Sequence, residues 1–336
     1  MGNTSSPLRV GLVGCGGHGS NLAEAVNRLA TMDLVACADP DAEAARRAAS
    51  RGSGATSHPS LDVLLAEAEV DGLVIATPHH LLAPLSLAGL RQGKHVFAEK
   101  PIGLDEGQAI EIEDVAAAAD LCFMSGYSFR FSIARHVKQL LNQGAVGEIR
   151  AITGSIGCGA MDAGWRADPE TGGGPLLYVG SHLIDLVLWF LEDGPRTVFA
   201  HTEMQSDTGV ESTAAFMLQF DGGIPVQGLV SQTGFAYDLR ILGSEGCIAL
   251  RGYNFLQFDI EVLSDAVPAY AEPTVIRPFS GRDNIDMMLV PELDEFAAAV
   301  RERRRPSITA EDGRRVLRVI DAIRESVSRG LPVELT

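Results

Sequence analysis

Over the first 125 residues short apolar runs alternate with helical patterns, and this rhythm limits the possible folds more than any other feature of the chain. Leu8–Val13, Leu34–Ala38, Gly72–Thr77, His95–Ala98 and Leu121–Ser125 read as strands, bounded by Gly, Pro or charge. Between them Asn21–Met32, Asp41–Ser50, Leu61–Ala66, His80–Gln92 and Asp105–Ala119 carry apolar residues at three- and four-residue spacing. Such βαβα alternation calls for a parallel sheet covered by helices, with right-handed crossovers. At 336 residues the chain has room for a second domain.

The pattern changes after one more helix, Ile133–Gln143. Glu148–Ile156, Thr197–Met204, Ser212–Phe220, Pro225–Gln232, Asp238–Leu242, Cys247–Leu250 and Phe255–Asp259 are strand-like. Asp221-Gly222-Gly223 and Gly243-Ser244-Glu245-Gly246 read as hairpin turns within a mostly antiparallel meander. A helix-like segment, Leu176–Leu191, interrupts it. Two helices close the chain, Met287–Arg303 and Ala310–Arg329, the second opened by Thr309 with Asp312 at its third position. The expected fold is α/β: a Rossmann dinucleotide-binding domain over 1–125, then an α+β domain over 126–336 with a large, mostly antiparallel open sheet. The last helices have the length to pack back on the first domain.

Gly14-Cys15-Gly16-Gly17-His18-Gly19 sits where the first strand meets the first helix. In this G-x-G-x-x-G, Gly14 permits the tight turn, Gly16 lets the backbone approach a pyrophosphate, and Gly19 lets helix and strand pack closely. The helix N-terminus adds free N–H groups and the positive dipole end. Asp39 ends the second strand, where a carboxylate accepts hydrogen bonds from a ribose diol and repels a 2′-phosphate. NAD is therefore expected rather than NADP. The same letters would also serve another ribose-bearing ligand, such as S-adenosylmethionine.

Charge narrows the partners. Lys and Arg number 27 against 44 Asp and Glu, a formal charge of −17. Such a surface repels nucleic-acid phosphates and anionic lipid, although a local site can oppose the overall field. Five widely spaced cysteines without a C-x-x-C argue for reduced thiols in the cytoplasm and against a zinc ribbon. No stretch reaches the ~18 apolar residues of a membrane span, and the spacing suggests no metal site.

Two clusters carry candidate chemistry. Glu99-Lys100-Pro101 follows the fifth strand, and in an open parallel sheet the strand carboxyl ends line the ligand crevice. An ammonium there holds a substrate oxygen and favours a developing alkoxide; a surface lysine at a strand end is the plainer alternative. Glu99 reads as a structural or lysine-orienting partner. The second cluster runs from Gly172-Gly173-Gly174 to His182 and Asp185. Three residues apart on a helix, the carboxylate can orient the imidazole, and Tyr178 falls near the same face if the helix includes it.

Together these residues resemble the Gfo/Idh/MocA oxidoreductases, the group that includes glucose–fructose oxidoreductase and inositol dehydrogenase. The resemblance rests on Gly11–Gly16, Ala76-Thr77-Pro78-His79-His80, Gly93–Pro101, Gly126-Tyr127 with Arg130-Phe131, Trp165-Arg166, and the triple-glycine to His182/Asp185 segment. It implies a nicotinamide held by the first domain, at Gly14, Gly16, Gly17, His18, Gly19, Asp39, Thr77, Pro78, His80, Glu99 and Lys100. It implies Lys100 as catalytic lysine, His182 as proton-transfer residue, and Tyr127, Arg130, Trp165 and Arg166 as contacts to a sugar or polyol. Many polyol dehydrogenases of the family carry Asp four residues before the histidine. Tyr178 stands there in this chain, which leaves Asp185 as the orienting carboxylate. A homo-oligomer, dimer or tetramer, is implied as well. The expected activity is hydride transfer between a nicotinamide cofactor and a sugar, polyol or sugar-derived hydroxyl or carbonyl. Two alternatives keep the cofactor: an NAD-assisted glycoside hydrolase or lyase, and a non-catalytic NAD-binding regulator.

Overall fold

The computed structural model describes residues 6–335 other than 162, 206, 233, 235, 236, 255, 256 and 279–284. It divides into two compact units. The first comprises 1–103, 107–128 and 284–314; the second comprises 104–106, 129–283 and 315–336. The chain thus enters the second unit briefly at 104–106, leaves the first again after 128 and rejoins it over 284–314.

In chain order the N-terminal elements are β1 (Leu8–Val13), α1 (Gly17–Asn27), β2 (Met32–Ala38), α2 (Ala42–Ala49), β3 (Thr56–His58), α3 (Leu61–Glu67), β4 (Gly72–Ile75), α4 (His79–Arg91), β5 (His95–Glu99), α5 (Glu106–Ala118) and β6 (Phe123–Gly126). Then come α6 (Ile133–Asn142), β7 (Ile149–Gly157), α7 (Ser181–Leu191), β8 (Thr197–Met204), β9 (Glu211–Gln219), β10 (Pro225–Ser231), β11 (Tyr237–Gly243), β12 (Gly246–Asn254), β13 (Gln257–Ser264), β14 (Thr274–Ile276), α8 (Val290–Glu302), α9 (Ala310–Arg329) and β15 (Val333–Glu334).

The first sheet is parallel throughout, in the order β3-β2-β1-β4-β5-β6. Strand order reverses between β1 and β4, so the carboxyl ends of these two strands flank the position where such sheets bind ligands. Its strands are buried on both faces, as helix cover requires: Leu12, Leu73, Val74, Ile75 and Phe97 are all inaccessible. α8 belongs to this unit, and its Phe296 ring lies 6.0 Å from that of Phe97. Two boundaries differ from the sequence reading. α1 begins at the glycine loop and stops at Asn27, and Met32 belongs instead to β2, where it pairs with Leu8. β3 has no apolar alternation to announce it; backbone pairing of Thr56–His58 with Ala36–Ala38 makes it a strand.

The second sheet has nine strands, ordered β14-β13-β12-β11-β7-β10-β9-β8-β15. All neighbours run antiparallel except β7 and β10, which pair in parallel at its centre. Asp221–Gly223 turns β9 into β10 with Gly222 and Gly223 at φ 72° and 78°, a region that favours glycine. The strand read over Phe255–Asp259 begins in residues outside those described, and β13 is followed from Gln257. α7 rests on β7: a Cβ at Gly154 would come within 2.5 Å of Leu183, so the glycine makes the room for this helix. Thr309 and Asp312 form the expected reciprocal cap of α9, with Thr309 N–H donating to Asp312 at 2.8 Å and Asp312 N–H to Thr309 at 3.3 Å. Among the described residues no helix is long and apolar enough to cross a membrane.

Candidate active site

The glycine loop has the shape of a phosphate cradle. Gly14 takes φ +89°, and a Cβ there would sit 2.5 Å from the Ala76 carbonyl oxygen. A Cβ on Gly19 would fall 1.9 Å from the Gly14 carbonyl oxygen, so only glycine lets α1 start this close to the loop. Gly16 and Gly17 are the reverse case, since a Cβ on either meets nothing within 4 Å. Their space is open for a ligand. Cys15, the side chain between the first two glycines, turns inward and is buried, with Sγ directed at the Ala38 carbonyl at 3.6 Å. The neighbouring Cys37 thiol, reinforced by burial, pushes the Cys15 thiol well above its ordinary pKa and keeps it protonated. α1 has no side-chain N-cap and no acidic residue in its first turn, which leaves its positive end available to an anion.

Asp39 follows β2 directly. Its Oδ2 accepts from Cys15 N–H at 2.7 Å and its Oδ1 from Asp41 N–H at 2.8 Å. A carboxylate has about four acceptor positions, so two remain for a ribose diol after these bonds have fixed its orientation. The residues present therefore fit a dinucleotide. Thr77 and Pro78 follow β4, and Pro78 stands at the N-cap of α4, ahead of the buried His79 and the half-buried His80.

Lys100 follows β5, next to β4 in the sheet. Glu99, the last residue of β5, is buried, and both its oxygens have partners. Oε1 lies 2.7 Å from His18 Nε2, and Oε2 accepts the Lys100 backbone N–H at 3.3 Å. His18, placed at the cofactor by sequence, thus ties the glycine loop to the segment bearing Lys100. The two residues stand 81 positions apart, and no local pattern announces the pair.

The second unit places His182 at the start of α7. A wider, π-type turn over Leu176–Gly180 runs into that helix without a break, so Tyr178 and His182 share one helical run. Phe129 stacks on the imidazole, with ring centres 4.4 Å apart and planes 20° from parallel. Behind Phe129 the rings of Tyr237 and Phe258 stand edge-on at 5.6 and 6.1 Å. Burial first, then the charges of Asp185 and Asp238, pushes the Tyr237 hydroxyl far above its ordinary pKa. Neither Phe129 nor Tyr237 was singled out from sequence; the only hint was the aromatic run around Arg130.

The surroundings of three expected site residues differ from those the sequence suggests. Arg130, expected on the substrate, is buried and closes bidentately on Asp185, with Nε to Oδ2 at 3.0 Å and Nη2 to Oδ1 at 2.6 Å. A guanidinium in that position would be costly without a fitted carboxylate. Asp185, expected to orient His182, gives each of its oxygens a bond to Arg130. Tyr127, also expected on the substrate, is fully buried and serves as core. Trp165 and Arg166 are accessible, and Arg166 lies 4.5 Å from the Trp165 ring centre and 4.8 Å from that of Tyr178.

Residues 8–127 match the model of the oxidoreductase family with an NAD-binding Rossmann fold, and residues 134–249 match the GFO/IDH/MocA C-terminal domain. The chain belongs to the Gfo/Idh/MocA oxidoreductase family. It is thus an NAD(P)-dependent oxidoreductase, with an NAD-binding Rossmann fold over the matched residues 8–127. Among curated relatives of this family member, a D-xylose 1-dehydrogenase (NADP+) from Haloferax volcanii is 26% identical, covering 98% of this chain and 100% of the relative. A dTDP-3,4-didehydro-2,6-dideoxy-alpha-D-glucose 3-reductase from Streptomyces violaceoruber is 30% identical over 88% of this chain and 84% of its own. An oxidoreductase domain protein from Kribbella flavida shares the fold at a TM-score of 0.88 and 22% identity, over 99% of this chain and 100% of the other.

Proposed function

We propose that this oxidoreductase interconverts a hydroxyl and a carbonyl on a sugar, polyol or sugar derivative, with NAD as its preferred cofactor. The observation that carries the reading is the loop built for a dinucleotide beside a carboxylate preset for a ribose diol. Relatives named for xylose and for a deoxysugar nucleotide point to the substrate class. Asp39 favours NAD because a 2′-phosphate would meet its negative charge.

The nicotinamide, when bound, supplies the hydride acceptor or donor. The side chains supply the rest. In oxidation His182 takes the hydroxyl proton as the substrate carbon gives up its hydride, and Lys100 steadies the oxygen through its ammonium. In reduction the same proton returns. Phe129, stacked on the imidazole, and Glu99, bound to the backbone of Lys100, are positioning residues. The five thiols fit a reducing cytoplasm. Exposed Phe199, Met217 and Leu229 on the second sheet fit a homo-oligomeric contact.

NADH formation across a panel of sugars and polyols tests the reading. Lys100→Met should abolish turnover while leaving NAD affinity within a few-fold, and His182→Asn should cut turnover by roughly 10²–10⁴-fold. Intact turnover in either variant overturns its assignment.

A further inference from the structure

Arg166 lies against two aromatic rings at once. Arg9, Arg28, Arg91, Arg196, Arg277 and Arg304 each reach a carboxylate within ion-pair distance. Arg166 is exposed, yet among the described residues no carboxylate comes that close to it. Its partners are aromatic: the guanidinium lies against Trp165 and Tyr178. Contact with ring faces fixes the plane of the guanidinium, and its in-plane N–H donors have no acceptor among the described residues.

The loop that holds it is well defined. Ala167 N–H donates to the Gly164 carbonyl at 3.0 Å, and the Thr171 hydroxyl donates to the Trp165 carbonyl at 2.8 Å. Gly172 and Gly173 N–H both donate to the Asp168 carbonyl, at 2.9 and 3.0 Å. A Cβ on Gly172 would fall 2.2 Å from the Trp165 carbonyl oxygen and 2.4 Å from Arg166 Cα. The first glycine of the triplet therefore lets the Trp165-Arg166 backbone press against the segment leading into Tyr178 and His182. Tyr178 and His182 are four residues apart in one helical run, so they lie on the same face. Through Tyr178, a preset cation is held about one turn ahead of the proposed proton-transfer residue.

We propose that Arg166 is an anion-recognition element, and that the preferred substrate carries a carboxylate or phosphate: a sugar acid or a sugar phosphate rather than a neutral sugar. The planar fork matches either anion bidentately. With a net charge of −17, the protein gives an anionic ligand little help elsewhere, so the local cation decides. The inference takes the sugar from the proposed function, but its binding test does not require turnover.

Trp165 and Trp189 are the two tryptophans, so a Trp189→Phe background makes Trp165 the sole reporter. NAD-loaded protein is titrated with D-glucose, D-glucuronate and D-glucose 6-phosphate while Trp165 emission is followed. At least one anion should bind about tenfold tighter than glucose, the worth of one charge-assisted contact. Arg166→Gln should abolish the preference, Arg166→Lys should retain part of it, and the better anion identifies the group. If neither anion outbinds glucose, or Arg166→Gln keeps the preference, the proposal is wrong. Anion binding that depends on Arg166 with no turnover of any sugar would uphold this site and overturn the proposed reaction. Equal kcat/KM for neutral and anionic sugars, lost in Lys100→Met, would do the opposite.

Discussion

Alanine at Gly16 and alanine at Gly19 are the same chemical change three residues apart, and the structure requires opposite consequences. At Gly16 a methyl group meets no protein atom within 4 Å, and the backbone angle φ −65° suits alanine. The unliganded protein should therefore keep its stability within about 0.5 kcal/mol. The methyl projects about 1.5 Å into the space read as the pyrophosphate site. An anionic oxygen cannot then stay in hydrogen-bond contact with the loop N–H groups. Losing one charge-assisted bond of about 1.5–3 kcal/mol weakens NAD roughly 10–150-fold. At Gly19 the methyl would lie 1.9 Å from the Gly14 carbonyl oxygen, whereas Cβ contacts below 3.0 Å are essentially never seen. α1 must withdraw by over an ångström, or the loop must open, at about 1–3 kcal/mol without any ligand. Calorimetry of the two variants, with and without NAD at about 100 times the wild-type Kd, separates these effects. The wild type should gain about 2.7 kcal/mol from the ligand. Gly16→Ala should melt like wild type without NAD and gain only about 0.3–1.4 kcal/mol from it, and Gly19→Ala should melt early in both conditions. Wild-type NAD affinity in Gly16→Ala would refute the placement of the cofactor on this loop.

Asp185→Ala should destabilise the protein by about 3–5 kcal/mol in a denaturant titration, because it leaves the buried Arg130 guanidinium uncompensated. The double variant Arg130→Met/Asp185→Leu should recover much of that loss; no recovery would argue against the pair as the source of the cost. Glu211 caps Leu176 N–H at 2.6 Å, and burial raises its carboxyl above the ordinary range. The native state thus holds the proton more tightly than the unfolded chain, and stability contributed by this group falls as pH rises through the raised pKa. Glu211→Gln keeps an acceptor for the N–H and removes the buried charge. Its melting temperature should exceed wild type at neutral and alkaline pH and converge with it on acidification; a constant offset at every pH would rule out Glu211 as the titrating group.

Local chemistry was readable from sequence and distant pairing was not. Gly14, Gly16 and Gly19 each meet the steric demand their spacing implies, because a tight turn, an open approach and a close helix start are decided by the nearest few residues. The same holds for the Asp221–Gly223 turn and the Thr309–Asp312 cap. The Arg130–Asp185 pair joins residues 55 positions apart, and no periodicity marks it. That distance hides the pairing, since an arginine beside aromatic residues looks like a substrate contact until its carboxylate is known. The parallel pairing of β7 with β10 was equally hidden, because strand direction at the centre of a sheet depends on the intervening crossover. β14 and β15 have three and two residues, too short for any alternation to show.

The return of 284–314 to the first unit has a consequence during translation. Phe296 packs beside Phe97, so when residue 128 leaves the ribosome the nucleotide-binding sheet still lacks a helix that covers β5. Another 161 residues, 129–289, must be made before that helix is begun, about 8–32 s at roughly 5–20 residues per second. For that interval the nascent sheet carries an uncovered aromatic face, and a ribosome-bound chaperone would find it there.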